Sequence, residues 1–288
     1  MGNGGLRYQY GRLNIAEKLI VINVLVFILN ALVPFLFRWD PIVLEQWFRL
    51  PSNLVDFLGK PWSLVTYAFF HGGFGHIFWN MLVLYFFGRT FLNLFGGKRF
   101  LSVYFLGIIA GGLLFMIGYN VVPALVGINS VLVGASAGVT AVLIFVCAYL
   151  PNQTVRLFII DLKLWHIGVI VVLMDLFRLS TGQNVGGMLA HLGGAALGYF
   201  YATQLTKGKD IGAGFEKLID SIVNIFKRDK KAKMKTVYKS SNPKKSTVDK
   251  QKEGKQRKID AILDKISKSG YDTLTKTEKE FLFKQGKK

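Results

Sequence analysis

The chain has 288 residues, of which 51% are hydrophobic, and its mean hydropathy is +0.37. This composition excludes an ordinary soluble globular domain and indicates a protein that crosses a membrane several times. The net charge of +19 is unevenly placed, because roughly two-thirds of the lysines and arginines follow Leu205. The chain therefore predicts an apolar membrane part followed by a basic tail.

Six apolar segments follow one another along the chain, and we interpret each as a membrane-spanning helix. They cover roughly residues 15–37, 76–94, 100–121, 136–150, 164–179 and 185–205. The fourth is short for a bilayer crossing, which places its first residue, Ser136, below the membrane surface. Basic residues precede the first span, so the N-terminus is expected in the cytoplasm, and six spans return the tail to the same side.

The connections between the spans differ in character. Residues 38–70 mix charged with aromatic side chains, which predicts an outer loop with short helices in the membrane interface. Residues 151–163 are polar and predict a simple loop on the cytoplasmic side. The membrane part is therefore expected to be entirely helical.

The tail shows two further helical patterns. Apolar residues from Phe215 to Phe226 recur at helical spacing before a basic cluster, and a second pattern begins at Ile259. Thr275 and Glu278 form a capping box that predicts a last short helix. The expected domains are a cytoplasmic N-terminus (1–12), a six-span domain (13–205), an amphipathic basic juxtamembrane helix (206–234), a flexible basic linker (235–258) and a small helical hairpin (259–288). We expect the tail to bind the anionic inner leaflet, and expect no nucleic acid.

Three polar residues begin the even-numbered spans. His76, Ser136 and His191 all fall at or near the start of spans two, four and six, so topology places them in the outer half of the bilayer. Asn80 lies one turn after His76 on the same helix face, and His71 precedes both. Ionisable groups at this depth are costly and mark functional sites. Ser136 alone is better explained by helix packing, since small residues including serine are common where membrane helices touch. The cluster as a whole predicts a catalytic site.

The residue types suit acyl transfer without a cofactor or metal. His191 would remove the proton of the Ser136 hydroxyl, and the backbone at Ser136 with His76 and Asn80 would hold an oxyanion. Spans two, four and six contain no acidic residue, which argues for a Ser–His dyad rather than a triad. Asp175 in the fifth span is expected to pair with Arg178, three residues on.

These motifs resemble the rhomboid family of intramembrane serine proteases. The resemblance rests on His71-x4-His76-x3-Asn80, Gly134-Ala135-Ser136 and His191-x2-Gly194-x3-Gly198. It implies a six-transmembrane-helix rhomboid bundle with a small helical cytoplasmic tail, and an intramembrane serine endopeptidase, a peptide-bond hydrolase, that cleaves transmembrane protein substrates. The implied roles are nucleophile for Ser136, general base for His191, oxyanion hole for His76, Asn80 and Ser136, and support for His71, Gly134, Gly138, Gly194 and Gly198.

The sequence departs from the family pattern beside the serine. Ala137 stands where glycine is usual, and Thr140 stands where a tyrosine often stacks on the histidine. The basic extension resembles that of some bacterial rhomboids, so the expected location is the bacterial inner (plasma) membrane with both termini cytoplasmic. One alternative is a non-catalytic rhomboid-like protein that binds membrane clients. A channel or transporter is weaker, because the spans offer few charges and no inverted repeat.

Overall fold

The computed structural model describes residues 5–157, 160–226 and 247–285. The chain divides into two compact units, Met1–Arg228 and Asp229–Lys288. The helices of the first unit are α1 (Leu6–Arg12), α2 (Ile15–Phe37), α3 (Leu54–Leu58), α4 (Ser63–Thr66), α5 (Phe74–Leu94), α6 (Gly97–Val121), α7 (Ser136–Tyr149), α8 (Leu164–Ser180), α9 (Val185–Thr206) and α10 (Ala213–Phe226). Those of the second are α11 (Thr247–Ser269) and α12 (Lys276–Gln285).

Helices stand at all six predicted apolar segments, as α2 and α5 to α9. Within the described residues, three of them (α2, α5 and α6) are long and apolar enough to cross a membrane, and α7 is a shorter apolar helix. Crossings by α7, α8 and α9 therefore remain predictions. The loop before α5 contains the short helices expected there, α3, α4 and the 3-10 turns Glu45–Trp47 and Tyr67–Phe69.

Helix α7 lies at the centre of the first unit. It is buried from Ala137 to Cys147. A Cβ added at Gly194 of α9 would meet the carbonyl oxygen of Ala137, and one added at Gly198 would meet that of Ala141. Glycine here lets α9 lie against the backbone of α7, the mode by which membrane helices pack most closely.

Helix α6 closes the other side of α7. A Cβ at Gly138 would lie 2.9 Å from the carbonyl oxygen of Tyr104, and one at Gly111 would lie 2.5 Å from the Cβ of Ala137. The first turn of α7 is thus held between two helix backbones. Because neither backbone can yield without moving a whole helix, the position of Ser136 is fixed by α6 and α9 together.

Two small sheets correct the expectation of an entirely helical protein. Strands β1 (Leu50–Pro51) and β2 (Val131–Leu132) pair antiparallel, with Leu50 opposite Leu132. They join the loop after α2 to the segment that leads into Ser136. Strands β3 (Thr154–Leu157) and β4 (Ile160–Lys163) form a hairpin where a simple loop was predicted. Its cross-strand pair Arg156–Asp161 is an opposite-charge contact that favours this pairing.

Helix α10 packs against the start of α6. Asp210 accepts hydrogen bonds from Arg99 (2.6 Å), from the Tyr201 hydroxyl (2.6 Å) and from the backbone of Gly212 (3.0 Å). Lys98 pairs with Asp220 at 2.7 Å. The predicted amphipathic helix is therefore present at Ala213–Phe226, while residues 227–234 of that prediction lie outside the described residues.

The second unit is a helical hairpin in which α11 begins earlier than expected. The predicted linker of residues 235–258 is wrong from Thr247 onward, and residues 235–246 lie outside the described part of the chain. The lysines, glutamate and glutamines after Thr247 are good helix formers without an intervening proline, so they extend the helix. The capping box before α12 is confirmed, because Thr275 N–H donates to Glu278 Oε2 at 2.8 Å and Glu278 N–H donates to Thr275 Oγ1 at 3.4 Å.

Candidate active site

A cavity of about 790 Å³ opens between α5, α7, α8 and α9 in the first unit. Its walls are mainly apolar, including Val139, Leu143 and Met188. Eight polar side chains reach it: His76, Asn80, Ser136, Thr140, Asp175, Arg178, Asn184 and His191. An apolar cleft with a few converging polar groups is the usual form of a ligand or substrate site.

Ser136 is the first residue of α7 and is half-buried. The chain enters through Gly134, whose φ of 118° is a conformation that side chains rarely adopt. Gly134 N–H donates to the carbonyl of Tyr67 at 3.0 Å, which fixes the approach. The amides of the first helical turn have no acceptor within the helix. The serine hydroxyl therefore stands beside free N–H donors at the positive end of the helix dipole.

His76 packs directly against this entry. A Cβ added at Gly134 would lie 2.6 Å from both Cε1 and Nε2 of the His76 ring, so any other residue at position 134 would displace the imidazole. Asn80 is buried, and its Nδ2 donates to the His76 carbonyl at 2.9 Å. One Asn80 proton is thus used within α5, and the amide still lines the cavity.

His71 supports the same turn from behind. Its Nε2 accepts a hydrogen bond from the N–H of Ala135 at 3.4 Å, and its ring meets that of His76 edge-on with centroids 5.2 Å apart. Burial, reinforced by neighbouring His76, lowers the pKa of His71. The ring is therefore neutral, which leaves a nitrogen lone pair to accept from Ala135.

His191 has an acidic partner that the sequence analysis missed. Its Nδ1 lies 3.0 Å from Oδ1 of Asp175 on α8, and Asp175 is only 6% exposed. The prediction that Asp175 forms an ion pair with Arg178 is wrong. In the described chain Asp175 pairs with His191, while Arg178 is exposed at the cavity wall. Asp175 lies on the fifth apolar segment, whereas the expectation of a dyad rested on the absence of acids from spans two, four and six. A lone aspartate in an apolar helix is the signal that would have found it.

The structure brings His76, Asn80, Ser136 and His191 to one cavity, with His71 behind them. Within the described residues no hydrogen bond joins the Ser136 hydroxyl to His191. Such contacts are often long without substrate and shorten when it binds. Thr140, one turn after Ser136, lines the cavity where the family pattern has a tyrosine.

The cluster combines the Ser136 hydroxyl with the imidazole of His191, whose Nδ1 contacts Asp175 and whose Nε2 does not. Hydrogen-bond donors lie beside them at the start of α7. These are the groups that acyl transfer requires. In residues 5–157, 160–226 and 247–285, no set of three or more His, Cys, Asp or Glu side chains is arranged to hold a metal ion.

Comparison with known proteins gives matches in both units. The rhomboid domain family matches residues 58–208, and a family of unknown function (DUF6576) matches residues 246–288. RHOMBOID-like protein 12, mitochondrial, of Arabidopsis thaliana is 31% identical over 183 residues, 58% of this chain and 54% of that protein. Rhomboid protein 1, mitochondrial, of Saccharomyces cerevisiae is 29% identical over 196 residues, which are 67% of this chain and 54% of that protein. Human presenilin-associated rhomboid-like protein, mitochondrial, is 29% identical over 188 residues, which are 64% of this chain and 46% of that protein. The chain spans about half the length of these curated relatives.

The relatives correct the predicted location. All three are named as mitochondrial proteins. The expectation of a bacterial plasma membrane, with both termini in the cytoplasm, is therefore wrong. That expectation was based on the basic tail. A basic tail indicates only that the chain binds anionic surfaces, which the membranes of several compartments provide.

The family predicted from the motifs is confirmed by the independent match. The rhomboid domain covers more than half of the chain and includes α5 to α9, the helices that form the cavity. It also includes each histidine of the cluster and Ser136. The chain belongs to the rhomboid family.

Proposed function

We propose that the protein is an intramembrane serine endopeptidase that cleaves transmembrane segments of other membrane proteins through Ser136 and His191. The observation that carries this proposal is that Ser136, at the start of α7, shares one cavity with His191 and His76. Family membership supports the reaction class. The names of the relatives support a mitochondrial membrane as its location.

The proposed reaction begins with nucleophilic attack. His191 Nε2 takes the hydroxyl proton as Ser136 Oγ bonds to the substrate carbonyl carbon, and the carbonyl oxygen becomes an oxyanion. The amide N–H of Ser136, with donors from His76 and Asn80, stabilises this charge. His191 then gives its proton to the leaving amine as the peptide bond breaks, leaving an acyl-enzyme.

Water completes the cycle. His191 removes a proton from a water molecule as the water oxygen attacks the acyl carbon. The second oxyanion collapses, the Ser136 Oγ bond breaks, and His191 returns the proton to the serine. The cavity of about 790 Å³ opens to the surface, and its polar groups offer the partners that a water molecule needs.

The test is cleavage of a transmembrane substrate by purified protein in liposomes. Ser136→Ala and His191→Ala are each expected to lower kcat at least about 1,000-fold, because either change removes the coupled nucleophile and base. Ser130→Ala is the matched control, because Ser130 lies in the segment that leads into α7 and its backbone rather than its side chain bonds to Ser52. Cleavage by Ser136→Ala at the wild-type rate would overturn the proposal. A wild-type protein that captures the substrate without cutting it would favour a non-catalytic client binder.

A further inference from the structure

Helix α8 buries little of its surface, and Asp175 is an exception. Of its 17 residues, only Leu164, Gly168 and Asp175 are buried. Beyond Gly168, apolar side chains such as Leu173 and Phe177 are 59% and 69% exposed, whereas the charged Asp175 is 6% exposed. Beyond Gly168, the only buried residue of α8 is thus a carboxylate.

A buried carboxylate requires a specific partner. Without a partner, a carboxylate buried among apolar helices loses its hydration and gains nothing in return, which destabilises the folded protein. Its partner is His191 Nδ1, which lies 3.0 Å from Oδ1 of Asp175, and both side chains are largely buried. The pair joins α8 to α9 across the cavity that holds Ser136.

The contact determines which nitrogen of His191 is free. A carboxylate only accepts hydrogen bonds, so the proton sits on Nδ1 and the Nε2 lone pair remains available. A general base for Ser136 needs that arrangement. When Nε2 takes the serine proton, the ring becomes positively charged and the neighbouring carboxylate stabilises it.

We infer that Asp175 is a positioning residue that fixes the tautomer and orientation of His191, so that the site works as a Ser136–His191–Asp175 triad. This inference rests on the proposed function and deepens it. Asp175 keeps its charge throughout and exchanges no proton. It takes over the orienting role at a site where Thr140 offers no aromatic ring for the imidazole to stack on.

The test compares Asp175→Asn with wild type in the liposome assay, with rates normalised to folded protein. Asparagine keeps the size of the side chain but loses the charge, and its amide no longer enforces the Nδ1–H tautomer. We expect kcat to fall at least about tenfold with KM within about twofold. Asp175→Leu, which fills the space with an apolar group, is expected to lose as much activity. Leu176→Ala, at an exposed neighbouring position of α8, is the matched control and is expected to keep the wild-type rate.

The result separates this inference from the proposed function. A fall in kcat of less than about tenfold for Asp175→Asn, in a preparation where wild type cleaves and Ser136→Ala does not, overturns the role of Asp175 and leaves the Ser–His dyad intact. A loss confined to KM overturns it as well, because a purely structural effect on substrate binding would give that result. If wild type and Ser136→Ala behave alike, the proposed function fails and the inference fails with it.

Discussion

Helices α8 and α9 both line the cavity, yet they are held in the molecule in different ways. Ten of the 22 residues of α9 are buried, and its glycines lie against the backbone of α7. Three of the 17 residues of α8 are buried. His191, the proposed base, is therefore carried on the tightly packed helix, and Asp175 is carried on the loosely packed one. The difference shows that Ser136 and His191 are held in place by helix packing, whereas the contact of Asp175 with His191 depends on the position of α8.

The packing difference is tested most strongly by adding one methyl group to each helix. Gly194→Ala forces a Cβ onto the Ala137 carbonyl, so we expect it to lower the free energy of unfolding by about 3 kcal/mol. Gly168→Ala brings a Cβ to 3.1 Å from the Cβ of Cys147, where α8 can shift outward, and we expect a loss below about 1 kcal/mol. Reversible unfolding in mixed detergent micelles measures both. Equal losses would contradict the difference in packing between the two helices.

Helix α8 is also expected to unfold locally more often than α9. Regions with few buried contacts open at lower free energy than the close-packed core. Backbone amides of residues 170–180 are therefore expected to exchange with deuterium at least about tenfold faster than those of residues 188–202, equivalent to about 1.4 kcal/mol. Hydrogen exchange followed by mass spectrometry, in lipid nanodiscs, makes the measurement. Equal protection of the two helices would show that α8 is as firmly held as α9.

A smaller effect is expected where α9 meets α10. Asp210 bonds to Arg99 and Tyr201 in a partly buried cluster, whereas Asp220 pairs with Lys98 at the surface. Asp210→Asn is expected to release α10 at a cost of about 1–2 kcal/mol, because charge-assisted hydrogen bonds are lost. Asp220→Asn is expected to cost less than about 0.5 kcal/mol. Limited trypsin digestion at Lys217 reports release of α10. Identical digestion of both variants would contradict the special role of the cluster.

The anchor of α10 also has a predicted pH dependence. Burial alone would raise the pKa of Asp210, but hydrogen bonds from Tyr201 and Arg99 outweigh it and hold the pKa below the ordinary value of 3.8. A carboxyl whose pKa is depressed on folding stabilises the folded form above its unfolded pKa and loses that contribution as pH falls through the folded value. Trypsin cannot be used at such acidity, so hydrogen exchange of α10 would follow its release below about pH 4. Release that begins near neutral pH would contradict the assignment to Asp210.

Much of the fold was predictable because apolar periodicity is local. The helices at the six apolar segments begin and end close to the predicted residues, and the capping box at Thr275 and Glu278 opens the expected helix. The residues of the candidate site were predictable too, since histidines and a serine at the starts of apolar segments are rare and the order of spans puts them at one depth.

What escaped prediction depends on contacts between distant parts of the chain. The pairing of Leu50 with Leu132 joins two short segments, neither of which shows a strand pattern. The contact between Asp175 and His191 depends on how α8 is rotated about its axis, and no local pattern in the sequence determines that rotation. Arg178 is closer to Asp175 in sequence, three residues away, but the tertiary fold pairs Asp175 with His191 instead.

In the proposed reaction, Ser136 is an activated nucleophile. The most direct measurement is covalent labelling of the folded, purified protein by a fluorophosphonate probe, which reacts with a serine only when a neighbouring base activates it. We predict stoichiometric labelling of wild type and of Ser130→Ala, with mass spectrometry locating the adduct on Ser136, and no labelling of Ser136→Ala or His191→Ala. This role of Ser136 would be contradicted if folded wild-type protein took up no label. It would also be contradicted if the Ser136→Ala variant were labelled as fully as wild type.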